Sequence, residues 1–258
     1  MAYPARSQSM ASKKTLVLVH GYLGGSAQWA DQRDAFSKTF NVITPDLPGF
    51  GLNHALDAPD SINAFATYVL NEIDQRGVES FHLLGHSMGG MIVQEIVRLA
   101  PLRVDTLVLY GTGPLGNMPG RFETLEASRQ RLQQEGVEET ARRISATWFA
   151  EGKASGAYAS CVAIALMTKT QSALAALTAM EYWSGTEVLS QITAPTLILW
   201  GDQDQSYQWP LPEQLWREIP GAGLSVVAGC SHAVHLEKPA LFNAILDDFL
   251  NSKAIRCH

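Results

Sequence analysis

Phe81-His82-Leu83-Leu84-Gly85-His86-Ser87-Met88-Gly89-Gly90-Met91-Ile92-Val93 is the stretch on which the reading of this chain turns. A short apolar run ends at Gly85, and helix-forming residues begin directly after Gly90. Between them lies Gly-x-Ser-x-Gly, the spacing of a nucleophile elbow. A serine on a sharp strand-to-helix turn is held in a strained conformation with its Oγ above the sheet. Side chains at Gly85 and Gly89 would collide with neighbouring backbone. The helix N-terminus under the serine, with its free N–H groups and dipole, favours negative charge there.

Working outward, five more apolar runs have the character of buried parallel strands. With Phe81–Leu84 they are Leu16–Val19, Val42–Thr44, Thr106–Tyr110, Thr196–Trp200 and Leu224–Val227. They do not alternate in polarity, as expected when helices cover both faces of a sheet. Helical faces lie between them: Ile62, Phe65, Ala66, Val69, Leu70 and Ile73; then Met91, Val93, Ile96, Val97 and Ala100; then Leu241, Phe242, Ile245, Leu246, Phe249 and Leu250. Strands alternating with helices predict an α/β fold with an open, mostly parallel sheet. The alternation stops from about Gly111 to Gln191, where composition favours helices over Arg121–Glu135, Glu138–Phe149 and Ser172–Trp183. An insertion of that size exceeds one crossover and predicts a helical cap over the strand ends. The expected organisation is a flexible leader over 1–13, a core from 14–110 and 192–253, and a cap over 111–191.

The chain has 258 residues, 46% of them hydrophobic, and a formal net charge of −6. With no basic run or basic–aromatic stripe, nucleic acid is not an expected partner. No apolar run approaches a membrane span, and the N-terminus lacks the apolar stretch of a signal peptide. Cys161, Cys230 and Cys257 are few and widely spaced, which predicts a reducing cytoplasm and neither disulfides nor a zinc site. A small-molecule substrate, no cofactor, no metal, and a monomer or homodimer are expected.

A serine hydroxyl needs a base to take its proton. Of the seven histidines, His232 and His235 follow the last strand and open at the same sheet edge as Ser87. His232 is nearer the strand end and is the preferred base, with His235 placed in the pocket or under the last helix. An orienting carboxylate is available from Asp202 or Asp204, after Thr196–Trp200. Oxyanion donors are expected from the backbone N–H of Met88 and, in the loop His20-Gly21-Tyr22-Leu23-Gly24-Gly25, from that of Tyr22. In the cap, Trp148, Phe149, Tyr182 and Trp183 are candidate pocket residues. Arg121, Arg142 and Arg143 are read as solvated helix faces, with a substrate carboxylate as their alternative partner.

These motifs together resemble the α/β-hydrolase superfamily from about Thr15 to Leu250. The resemblance rests on His20-Gly21-Tyr22 with Trp29 downstream, Asp46-Leu47-Pro48-Gly49-Phe50-Gly51, Gly85-His86-Ser87-Met88-Gly89-Gly90, Gly201-Asp202-Gln203-Asp204, and Gly229-Cys230-Ser231-His232 running into Leu236-Glu237-Lys238-Pro239. It implies the superfamily fold with about six to seven strands, and Ser87, Asp204 and His232 as a triad in chain order. It implies a serine hydrolase of a small, fairly apolar ester, thioester or lactone, with a carbon–carbon bond hydrolase or lyase as the alternative. Ser87 in place of aspartate argues against epoxide hydrolases and haloalkane dehalogenases. Met91 departs from the arginine usual in the menaquinone-pathway lyase.

Overall fold

The apolar run at Phe81 extends without a break to His86 because every residue in it is buried. It forms the strand β3 (Phe81–His86) near the middle of a six-stranded, all-parallel sheet in a computed structural model that describes residues 13–252. The other strands are β1 (Thr15–Val19), β2 (Asn41–Ile43), β4 (Val104–Tyr110), β5 (Thr196–Gly201) and β6 (Gly223–Val227). Their order across the sheet is β2-β1-β3-β4-β5-β6. The pairings Val17↔Leu83, Leu83↔Leu107 and Leu109↔Ile198 fix the register of the central strands. Since all run the same way, the segments after Val19, His86, Tyr110, Gly201 and Val227 emerge at one edge. In an open α/β sheet that edge is where ligands bind.

Nine helices accompany the sheet among the described residues: α1 (Ala30–Phe36), α2 (Ile62–Asp74), α3 (Met88–Leu99), α4 (Leu125–Thr147), α5 (Tyr158–Ala165), α6 (Thr170–Glu181), α7 (Pro210–Glu218), α8 (Val234–Glu237) and α9 (Pro239–Asn251). Successive strand residues supply opposite faces. Val17, Val19, Leu83, Leu107, Leu109 and Ile198 join one apolar cluster with Phe65, Val69, Met91, Ile96 and Leu215 of α2, α3 and α7. Leu16, Leu18, Leu84, Val108, Tyr110 and Leu199 join the other, with Phe36 of α1 and Phe242, Leu246 and Leu250 of α9. Each fully buried aliphatic or aromatic side chain stabilises the fold by about 1.5–3 kcal/mol relative to exposure. Ser61 caps α2, its hydroxyl accepting from the Ala64 N–H at 3.3 Å.

Two apolar runs behave differently from the expectation. β6 is half-exposed, with Val226 47% accessible, because it is the edge strand and lacks a neighbour on one side. On α9 the buried stripe is Phe242, Leu246 and Leu250, and Leu241 turns to solvent.

Between β4 and β5 the chain forms α4, α5 and α6, with one isolated antiparallel bridge, Leu115↔Ser184. Gly136 (φ 78°, ψ 178°) breaks α4 where the sequence predicts the end of one helix and the start of the next. Leu132, Ile144, Trp148, Leu177 and Met180 of this segment join the first core cluster, so it packs onto the sheet edge that carries Ser87. Among the described residues no single helix is long and apolar enough to cross a membrane. Cys161 and Cys230 are buried and free. The expected leader over 1–13 lies outside the described residues except for Lys13, and so do Cys257 and His258.

Candidate active site

Ser87 ends β3 and caps α3 with φ 60° and ψ −122°. Leu23, in the loop after β1, has φ 56°, and these are the two non-glycine residues with positive φ among the described residues. Such conformations cost on the order of 1–3 kcal/mol each and concentrate at functional sites. The turn is fixed on all sides. The Ser87 N–H donates to the Tyr110 carbonyl at 3.0 Å, and the Ser87 carbonyl accepts from the Gly90 N–H and the Thr112 hydroxyl, both at 2.8 Å. A Cβ on Gly85 would overlap the Gly89 carbonyl, and one on Gly89 would overlap the Val19 and His20 carbonyls. The glycines thus let β3, α3 and the β1 loop approach one another.

The His232 loop and the β5 loop meet at this edge. His232 Nδ1 lies 2.8 Å from Asp204 Oδ2, with both side chains essentially inaccessible. The other Asp204 oxygen accepts from the Ser206 and Tyr207 N–H groups at 2.7 and 3.1 Å. A carboxylate has no proton to give, so Nδ1 carries the hydrogen and Nε2 is left as an acceptor. Asp202 is engaged elsewhere, accepting from the Gly229 N–H at 2.7 Å. The His232 backbone is pinned as well: its carbonyl accepts from the Tyr110 hydroxyl and from His86 Nε2, each at 3.0 Å. Glu237 ties the loop to the end of α4, accepting from the N–H groups of Ser231 (2.7 Å) and Ala150 (2.6 Å).

The β1 loop presses on the serine. A Cβ built on Gly21 would stand 2.8 Å from Ser87 Cβ and 3.3 Å from its Oγ. Neither Tyr22 nor Met88 donates its N–H in a turn or loop hydrogen bond among the described residues. His20 holds the loop: Nδ1 donates to the Gly21 carbonyl at 2.8 Å, while Nε2 accepts from the Leu47 N–H at 3.0 Å. That pairing requires a neutral ring, and burial lowers its pKa accordingly.

Ser87, His232 and Tyr22 face a small cavity of about 20 Å³, room for roughly one water molecule. Met118, Arg121, Phe122, Ile144, Trp148, Met180, Ser206 and Tyr207 complete its wall. Of the pocket residues expected from sequence, Trp148 lines it and four do not. Phe149 is buried in the core beneath, and Trp183 packs half-buried at the core edge. Tyr182 is 82% exposed because it follows the last turn of α6 on its outer side. His235 lies behind the site, its ring 4.5 Å from that of Trp29. Arg121 corrects the solvated-face reading: it comes off the turn before α4 and points into the cavity wall, whereas Arg142 is exposed. Tyr207 was not anticipated. Its ring stacks on His232 at 5.7 Å and 10°, and its only sequence signal is its place three residues after Asp204. Among the described residues no three or more His, Cys, Asp or Glu side chains gather as a metal would need.

Behind His232 the histidines make the site acid-sensitive. His235 Nδ1 donates to the Tyr110 hydroxyl at 3.0 Å, and its Nε2 is buried without a partner among the described residues. Burial, reinforced by His232, lowers its pKa from 6.5 to about 3. His86 is also lowered, first by burial. The unfolded chain therefore takes up protons at these rings as pH falls through 6.5, and the folded chain resists until near pH 3 at His235. Stability is present above that window and is lost on descending it. From pH 7 to 5, His235 alone should cost about 2 kcal/mol. A urea midpoint that stays constant over that range would rule this out.

The family model described as "Alpha/beta hydrolase family" matches residues 16–245, and the chain belongs to that family. It is 28% identical to a RutD protein of Pseudomonas savastanoi pv. phaseolicola, provisionally named for carbamate hydrolysis, over 94% of this chain and 96% of that one. It is 30% identical to the 2-hydroxy-6-oxononadienedioate/2-hydroxy-6-oxononatrienedioate hydrolase of Paraburkholderia phymatum, over 93% and 88%. The enol-lactonase from Burkholderia xenovorans LB400 superposes with a TM-score of 0.85 at 22% identity, over 95% and 94%, a likeness of fold.

Proposed function

We propose that this chain is a serine hydrolase of a small ester, thioester or lactone, with Ser87 as nucleophile, His232 as base and Asp204 as its orienting acid. The observation that carries the reading is the buried 2.8 Å pair of His232 and Asp204 facing the same cavity as the strained Ser87. Ser87 Oγ bonds to the substrate carbonyl carbon while His232 Nε2 takes its proton. The oxyanion is held by the N–H groups of Met88 and Tyr22. The bond from the carbonyl carbon to the leaving oxygen, or sulfur in a thioester, breaks, and that atom takes the proton from His232. Water, deprotonated by the same base, then releases the acid. Residues 111–191 act as a lid, excluding bulk water from a site in which dipoles are worth more than in solution. The named hydrolases among the relatives support this reading.

A fluorophosphonate probe should label Ser87 in the folded protein, read as a mass increment on its tryptic peptide. The second reading, a carbon–carbon bond hydrolase or lyase using the triad mainly as acid and base, draws support from the Paraburkholderia relative. It is favoured if folded protein resists labelling while turning over a carbon–carbon substrate.

A further inference from the structure

The cavity has a second polar wall that acyl transfer does not use. Arg121 lies in it with Tyr22 and Tyr207, and these two phenols are among the groups nearest its charge. Its Nη1 donates to the Glu123 carbonyl at 2.8 Å and to the Ser128 hydroxyl at 2.9 Å. Among the described residues no carboxylate stands within ion-pair distance of it. Glu123, the nearest acid, is already engaged by the Ser128 hydroxyl at 2.6 Å and by Arg143 at 2.7 Å, with Arg131 at 3.5 Å. Even so, Arg143 keeps two buried nitrogens, Nε and Nη2, without hydrogen-bond partners among the described residues. Arg143 also lies 3.8 Å from Glu135 through Nε, so Arg143 has two carboxylates within reach and Arg121 has none of its own.

The phenols point the same way. The hydroxyls of Tyr22 and Tyr207 are buried and unpartnered among the described residues, on side chains 6% and 1% exposed. Burial pushes both pKa values up, so the phenols stay protonated and can donate. The Tyr207 hydroxyl also neighbours Ser87 and Thr112, so the wall runs up to the nucleophile. A half-buried cation and two buried orphan hydroxyls each cost free energy unless something accepts from them. A carboxylate does so, offering two oxygens and about four lone pairs to guanidinium and phenol donors.

We propose that Arg121, Tyr22 and Tyr207 form a subsite for a carboxylate carried by the substrate. The substrate class is then a short half-ester of a dicarboxylic acid, or the equivalent lactone acid. Arg121 and Ser87 line one small cavity, which places the carboxylate and the scissile carbonyl only a few carbons apart. The inference rests on the serine-hydrolase reading above. Hydrolysis consumes one water and yields the dicarboxylate and an alcohol; a lactone acid yields the hydroxy-diacid.

The test compares mono-p-nitrophenyl glutarate with p-nitrophenyl pentanoate, which share a five-carbon acyl chain and differ in the terminal charge. Wild type should prefer the half-ester. Arg121→Gln should lower the ratio of the two kcat/KM values about 10- to 100-fold, the cost of losing a charge-assisted contact, chiefly through KM for the half-ester. Arg121→Lys, a point charge without the fork, should fall between and controls for folding together with the melting temperature. Free glutarate should slow fluorophosphonate labelling of wild type and not of Arg121→Gln. Equal use of both esters with no glutarate protection overturns the subsite and leaves the hydrolase standing. If neither ester turns over and Ser87 resists the probe, the hydrolase reading fails. Calorimetric titration with glutarate then decides the subsite: binding by wild type and not by Arg121→Gln supports it, and no binding by wild type overturns it.

Discussion

Ser87→Ala is expected to lower kcat/KM for a short p-nitrophenyl ester by at least about a thousandfold, roughly 4 kcal/mol of transition-state stabilisation. The loss is large because no second hydroxyl is placed to replace it. The Thr112 hydroxyl is already engaged, donating to the Ser87 carbonyl. The Tyr207 phenol is held in its protonated form by burial. A remnant above the uncatalysed rate should survive, because oxyanion donors and His232 would still act on a bound ester and a water. The fold should tolerate the change. The backbone hydrogen bonds at Ser87 involve its N–H and carbonyl, which alanine keeps, and alanine pays the same positive-φ cost as serine. A melting temperature within a few degrees of wild type, beside collapsed turnover, is the expected pair of readings. Retention of a tenth or more of the activity would remove Ser87 as the nucleophile.

That pair of readings separates two things the sequence carries unequally. The elbow is local: Leu83 and Leu84 end a buried strand, Gly85 and Gly89 admit close backbone contact, and α3 starts at Met88. Everything needed to see it lies within thirteen consecutive residues. The break in α4 at Gly136 is legible for the same reason. The short helix α5 was not foreseen. Its residues Tyr158–Ala165 are small or apolar on all sides, so no stripe distinguishes helix from loop. The cavity wall was the least legible part. Trp148 and Phe149 are adjacent in sequence and equally aromatic, yet only Trp148 faces Ser87. Composition says that an aromatic will be buried, whereas the facing direction depends on how α4 meets the sheet. Arg121 shows the same limit with a charge. Its entry into the wall follows from the turn before α4 and from Arg143 holding Glu123, contacts between residues about twenty apart.

The choice between Asp202 and Asp204 came from family resemblance, and geometry supplies the physical ground for the second large prediction. Asp204→Asn should lower kcat/KM about a thousandfold or more, while Asp202→Asn should stay within a few-fold of wild type. The reason is a matter of hydrogens. One Asp204 oxygen faces two donors, the Ser206 and Tyr207 N–H groups, and the other faces His232 Nδ1. An asparagine must turn its carbonyl oxygen to the two backbone donors, which leaves its NH₂ against Nδ1. His232 can satisfy that group only by accepting, so its hydrogen moves to Nε2. An Nε2–H imidazole cannot take a proton from Ser87, although every heavy atom stays in place. Fluorophosphonate labelling of Ser87 should slow in parallel with turnover, because both need the deprotonated hydroxyl. At Asp202 the carboxylate accepts one N–H, from Gly229, at an exposed turn; an asparagine oxygen serves equally well. If Asp202→Asn were the more damaging change, Asp204 would not be the orienting acid, and its buried pairing with His232 would have to be purely structural.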